Sequence, residues 1–251
     1  MKKVILFCGI VANLIFLSAH AQQAGAQPSQ TTENKKVKLP NGWTLSPVGK
    51  SVPLGDLPLN MVVSPSRKYI AVTNNGQSKQ HIQLLDATRG TELDRILIPK
   101  AWLGLAFSSD EKRIYASGAN DNCIQVYNIQ QNKLAKADSI VLGKPFPQEK
   151  ICPTGLVLDD KRNRLYTVTK ENNSLYVIDL AAKKILKQVP LNAEAYQCLL
   201  SPDRKNLYVS LWGSDQIAVF DTQTEKITKT VPVGDNPNDL VLTRNGKTLF
   251  V

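Results

Sequence analysis

Residues 200–210 read LSPDRKNLYVS, a basic turn at Pro202, Asp203, Arg204 and Lys205 that feeds a short apolar strand. The same pattern stands at 63–73 (VSPSRKYIAVT), 107–117 (FSSDEKRIYAS), 158–168 (LDDKRNRLYTV) and 242–251 (LTRNGKTLFV). Aligned on Ser64, Ser108, Asp159, Ser201 and Thr243, the copies lie 44, 51, 42 and 42 residues apart. Six residues after each anchor comes Ile70, Ile114, Leu165, Leu207 or Leu249, and then Ala71, Tyr115, Tyr166, Tyr208 or Phe250. A period of this length built from short strands marks stacked β-units.

One copy resolves into four strands. In the fourth, strand A spans 197–201, B 206–211, C 216–221 and D 226–233. The links PDRKN, WGSD and TQTEK are rich in turn formers, and no 3.6-residue period crosses any copy. The expected fold is all-β, a β-propeller of four-stranded antiparallel blades. A lone blade cannot bury its two faces. Each apolar side chain covered by a neighbouring blade contributes about 1.5–3 kcal/mol, so stacking blades around a ring is the stabilising step. KSVPLGDLPLN (50–60) matches KTVPVGDNPND (229–239). The first of these reads as a strand D without its own A, B and C, expected to complete the last blade. The last copy reaches only strand B at Val251. The expectation is four full blades with parts of others, incomplete at the C-terminus.

The chain ends add context. Lys2 and Lys3 precede an apolar run from Val4 to Leu17, and Ala19-His20-Ala21 supplies small residues for cleavage. Residues 1–21 therefore read as a signal peptide, residues 22–40 as a disordered polar spacer, and 41–251 as the propeller. The apolar run is short for a spanning helix, and no membrane span is expected after cleavage. The full chain carries a formal charge of +10, and loss of Lys2 and Lys3 lowers it to +8. The expected location is the periplasm or the exterior.

The segment LYVSLWGSDQIAVFDTQTEKITKTVPVGDNPND (207–239) resembles the YVTN-family β-propellers, as do LYTVTKENNSLYVID and VPVGDNPNDLVL; YIAVTN (69–74) is a looser match. The resemblance runs from Lys50 to the end and implies seven blades in an intact protein. The leader, spacer and LPNGWTLSPVGKSVPLGDLPLN are similar to exported bacterial proteins that join such a propeller to a C-terminal alkaline-phosphatase-like phosphoesterase domain. No residue of that second domain lies within the chain.

Alternating turns place D–A connections and B–C turns on one face, and A–B and C–D turns on the other. Along the inner A strands, Asn60, Gly104, Gly155, Gln197 and Asp239 are equivalent. Asn60, Gln197 and Asp239 make the channel mouth polar enough to read a ligand, unless they serve only water-bridged loop chemistry. Trp102 and Tyr196 would wall the same face or pack between blades. The D–A connection at 143–153 (GKPFPQEKICP) is enlarged and lies on this same face, where a long loop points to function. The A–B turns are basic, with Arg67, Lys68, Lys112, Arg113, Arg162, Arg204 and Lys205 as candidates for an anionic envelope surface or an acidic partner domain. Interleaved acids make solubilised hairpin tips the simpler reading. Nucleic acid is not expected, because no aromatic stacking series accompanies the charge.

Cys198 aligns with apolar Met61, Leu105, Leu156 and Leu240 and reads as core. Cys123 and Cys152 fall on one face of neighbouring blades, where a disulfide is geometrically accessible. No metal or other cofactor is expected: there is no Cys-x-x-Cys, and His81 is the only histidine outside the leader. Neither a Gly-x-Ser-x-Gly elbow nor a phosphate-binding glycine loop is present. Asp86, Asp179 and Asp221 end C strands and are expected to bond turn amides. The reading is an exported binding or scaffolding module of the cell envelope with its ligand or partner at the D–A face. The alternatives are the recognition domain of a two-domain phosphoesterase and a lactonase-type propeller hydrolase.

Overall fold

A computed structural model describes residues 36–45, 49 and 51–251. The expected signal peptide lies outside the described residues, as does most of the spacer. Among the described residues no helix is long and apolar enough to cross a membrane. The described residues fall into two units, one before Val52 and one from Val52 to Val251. In the first, β1 (Val37–Lys38) and β2 (Thr44–Leu45) form a small antiparallel hairpin. Its turn closes through Gly42 N to Leu39 O at 2.9 Å, with Gly42 at φ +86°, a conformation glycine adopts without steric cost. This order begins inside the segment read as spacer, because Pro40-Asn41-Gly42 is itself a turn sequence.

The second unit is a β-propeller of four antiparallel four-stranded blades. Blade one is β3 (Pro58–Val63), β4 (Tyr69–Asn74), β5 (His81–Asp86) and β6 (Glu92–Leu97). Blade two is β7 (Leu105–Phe107), β8 (Arg113–Ser117), β9 (Cys123–Gln130) and β10 (Lys133–Val141). Blade three is β11 (Pro153–Asp159), β12 (Arg164–Thr169), β13 (Ser174–Asp179) and β14 (Lys184–Pro190). Blade four is β15 (Ala195–Leu200), β16 (Asn206–Leu211), β17 (Gln216–Asp221) and β18 (Lys226–Pro232). A hairpin of β19 (Val241–Leu242) and β20 (Leu249–Phe250) follows. The inner strands β3, β7, β11 and β15 adjoin in that order. Residues 51–57, expected as a strand D, are not in a strand. They lie along blade one instead, with Gln83 Nε2 donating to Pro53 O and Gly76 N to Asp56 O.

The recurring turn owes its form to its anchor hydroxyl. Ser64, Ser108, Ser201 and Thr243 each accept the backbone N–H five residues on, at 3.0–3.1 Å. The hydroxyls of Ser108, Ser201 and Thr243 also donate to Asp110, Asp203 and Asn245, two residues on. The backbone N–H of Arg67, Glu111, Arg204 and Gly246 returns to the anchor carbonyl, which puts these residues at φ 58–67°. Three of the four carry side chains despite the left-handed backbone, so the hydrogen-bonded loop outweighs the steric cost of about 1–2 kcal/mol. In the third copy Asp159 replaces the hydroxyl, and a short 3-10 turn, Asp160–Arg162, takes over.

Blade faces meet in apolar cores. Ile82, Leu84, Ile114 and Tyr127 pack between blades one and two. Ile124, Leu165 and Ile178 pack between two and three, and Val168, Leu207 and Phe220 between three and four. Tyr166 and Phe220 meet edge-on across the last of these, with ring centroids 6.2 Å apart, a geometry that favours aromatic pairs. Leu105, Leu156, Cys198 and Leu240 are buried as their alignment predicts, whereas Met61 at the equivalent position is 61% exposed. Leu105, Leu156 and Cys198 each belong to a core shared with the preceding blade, whereas among the described residues no blade precedes Met61 in the chain.

Polar clamps repeat at each junction. On the channel side Asn60 Nδ2 donates to Leu103 O (2.6 Å), Ser117 Oγ to Pro153 O (2.6 Å) and Thr154 Oγ1 to Ala195 O (3.0 Å). At the outer strands Lys133 pairs with Asp94, Lys183 with Asp138 and Lys187 with Glu225. On the A–B face Ser66 bonds Glu111, Ser109 N donates to Asp160 Oδ2 (2.6 Å), and Arg204 Nη1 donates to Asp159 Oδ1 (2.6 Å). Asp159 has no exposed surface. Removing its carboxylate takes a charge-assisted partner from the partly exposed Arg204 and the acceptor from Arg162 N, a loss of about 1.5–3 kcal/mol. Asp159→Ala is expected to lower the urea midpoint accordingly, whereas Lys133→Ala, which removes an exposed pair, shifts it little.

Candidate functional site

The D–A connections and B–C turns converge on one face. There Asn75 and Gln80 (B–C of blade one), Lys100, Ala101 and Trp102 (connection into blade two), Ala119 and Asn120 (B–C of blade two), Cys152, and Lys170 (B–C of blade three) line a cleft of about 220 Å³. Its walls hold no carboxylate. Lys170 Nζ sits 4.8 Å from the centre of the Trp102 ring, within cation–π range. Lys100 Nζ is 2.7 Å from Asp121 Oδ1, and Lys170 Nζ is 3.8 Å from Glu171 Oε1. Gln80 Oε1 accepts from Ala101 N at 2.8 Å and so ties the first B–C turn to the D–A connection.

The enlarged connection at 143–153 is held against this cleft by Asn122. That residue is buried and left-handed at φ 52°. Its Nδ2 donates to Lys144 O (2.6 Å) and Glu149 O (2.9 Å), and its Oδ1 accepts from Cys152 N (2.9 Å). One side chain thus fixes three points of the loop. Phe146 N adds a bond to Asn120 O at 2.8 Å.

Asn60, Gln197 and Asp239 do come together, around a central channel of about 360 Å³ also lined by Met61, Leu105, Leu156, Cys198 and Leu240. Their polar atoms are partly committed. Asn60 Oδ1, Gln197 Oε1 and Asp239 Oδ1 each accept the N–H of the next residue, at 2.8–3.1 Å. β-bulges follow the start of the inner strand in blades one, three and four. A bulge leaves a ladder amide unpaired, and in blades one and four the Asn60 and Gln197 side chains answer it. Trp102 lines the cleft rather than the channel, and Tyr196 lines neither. Asn75, Gln80, Asn120 and Lys170 stand out in no motif of the sequence, because the B–C turns share none between copies. Their only signal is shared position in the repeat.

Cys123, Cys152 and Cys198 are buried free thiols, so the disulfide is not formed here. Burial pushes the Cys123 and Cys152 thiols up to about 11, and Cys198 further still. Thiols so raised are poor nucleophiles near neutrality. On the opposite face, Arg162 Nη1 donates to Arg204 O and Thr222 Oγ1, and Arg204 pairs with Asp159. Lys68 lies over the Tyr69 ring at 4.7 Å. Arg113 borders shallow pockets with Asp110, Asp160 and Asp138, while Arg67, Lys112 and Lys205 are exposed at turn tips.

With this geometry, a family comparison places the whole fold: residues 29–249 match the YNCE-like β-propeller family. The chain belongs to that family. The search of curated proteins returned no match. Among solved structures, this YNCE-like propeller is similar to hydrazine synthase of Kuenenia stuttgartiensis (TM-score 0.67, 17% identity, 79% of this chain and 56% of that one). It is also similar to a functionally unknown protein of Desulfotomaculum acetoxidans (0.67, 15%, 83% and 68%). A protein of Lactobacillus plantarum aligns comparably (0.66, 16%, 83% and 67%). At these identities the likeness is one of fold, and the chain spans little more than half the hydrazine synthase chain.

The C-strand aspartates act on turns. Asp86 Oδ1 accepts from Thr88 N and Arg89 N, Asp179 Oδ1 from Ala182 N, and Asp221 Oδ1 from Gln223 N and Thr224 N. Backbone donors, led by Arg89, Ala182 and Thr224, hold all three carboxyls below the usual range. A depressed folded pKa contributes stability that is complete above the unfolded value of about 3.9 and is lost as pH falls through the folded value. The Asp86→Ala, Asp179→Ala, Asp221→Ala triple variant is therefore expected to melt lower than wild type near neutrality. The gap should narrow as thermal melts are repeated below about pH 4.

Proposed function

We propose that this propeller is an exported binding module of the cell envelope whose ligand enters the cleft between blades one and three on the D–A face. The observation that carries the reading is the cleft itself. Five loops from three blades bring two lysines, a tryptophan and three side-chain amides to one small space, the mix of apolar wall and convergent polar groups that ligand sites use. Asn122 and Gln80 preorganise its loops, which lowers the ordering cost of binding. Export rests on the leader, Lys2, Lys3, the apolar run and Ala19-His20-Ala21. The opposite, basic face spends Arg162 and Arg204 on its own clamps.

A thermal-shift screen of envelope small molecules, covering sugars, amino acids and organic acids, tests this. A ligand at about 100 times its Kd stabilises by about 2.7 kcal/mol. The expected result is a stabilising compound whose effect disappears in Trp102→Ala and Lys170→Gln. A compound whose effect survives both changes but is lost on Arg67→Ala and Lys68→Ala would place binding on the other face and overturn the reading.

A further inference from the structure

The cleft holds polar groups that the fold leaves unspent. Asn75 Nδ2 and Oδ1 and Trp102 Nε1 are buried without a hydrogen-bond partner, and both residues border the same space. Buried donors and acceptors left unpaired are costly and uncommon in native proteins. An unspent carboxamide presents donors and an acceptor side by side, the complement of neighbouring hydroxyls. The only ionised groups in the wall are Lys100 and Lys170. Lys100 is tightly held by Asp121, but Lys170 is 3.8 Å from Glu171 and rests over Trp102, leaving its ammonium donors for a further acceptor. Ala101 and Ala119 complete an apolar side beside the indole. The volume, about 220 Å³, lies below the roughly 300 Å³ at which drug-sized sites begin, which suits a single ring.

We propose that the cleft takes an acidic monosaccharide. Its hydroxyls pair with the Asn75 amide and the Trp102 indole N–H, and its carboxylate or phosphate meets Lys170 with Lys100 behind. The proposal rests on the cleft being the ligand site and narrows what fills it. Hydroxyls alone would leave Lys170 unused, and a bare inorganic anion would leave Asn75 and the indole N–H unused.

The test is calorimetric titration of the full chain with D-glucuronate, D-glucose 6-phosphate and D-glucose near neutral pH and low salt. At least one acidic sugar is expected to bind about tenfold tighter than glucose; which of them does so identifies the anionic group. Lys170→Gln should abolish that preference, and Asn75→Ala should weaken every sugar about tenfold, with melting temperatures of the unliganded variants near wild type. Equal affinity for glucose, or binding untouched by both substitutions, overturns the proposal. So does no binding by any of the three. In that last case, a different compound that binds in a Trp102- and Lys170-dependent way leaves the site standing and removes only the sugar. If no compound binds there, both fall.

Discussion

A four-stranded blade has two apolar faces and no means of burying either by itself. Every larger feature of this molecule follows from that constraint. The B and C strands are buried on both sides, and the D strands are mostly exposed or half-buried, with Leu134 and Ile140 of β10 as buried exceptions, because neighbours cover the middle of a blade more than its outer edge. The cores between blades are therefore the interior of the protein. Phe220 and Tyr166 make that plain: they belong to different blades and to one core.

Polar clamps then set how neighbouring blades sit. Apolar packing is non-directional, and two flat sheets can slide. Hydrogen bonds at the channel side, ion pairs at the outer strands and acid-to-turn contacts on the A–B face pin each junction at three radii. The acids that make the basic face look merely solvated are part of this arrangement: Glu111, Asp159 and Asp160 each reach a neighbouring turn. The same rigidity serves the opposite face. A cleft built from five loops keeps its shape only if the blades carrying those loops do not shift.

The fold was legible because repetition amplifies weak signals. In blade four the expected B and C strands coincide with β16 and β17, and the anchor serines mark turns whose hydrogen bonds require a hydroxyl. Asp86, Asp179 and Asp221 cap turns as their place at strand ends implied. The site was harder to read. Alignment favours positions that recur, so it points to Asn60, Gln197 and Asp239, whose side chains partly serve the N–H of the next residue. The cleft depends on what differs between copies: a tryptophan in one connection, a lysine in one turn, an asparagine that ties down one long loop. The hairpin near Trp43 and the path of residues 51–57 were missed for a related reason, since neither belongs to a complete copy.

Hydrogen exchange on Phe220→Ala, resolved by blade, tests the mutual shielding of blades most directly. Cutting this side chain from the core should destabilise by about 3–5 kcal/mol. Amides in β12 and β13 of blade three are expected to lose protection together with those in β16 and β17 of blade four. Loss confined to blade four, with blade three as protected as in wild type, would contradict it.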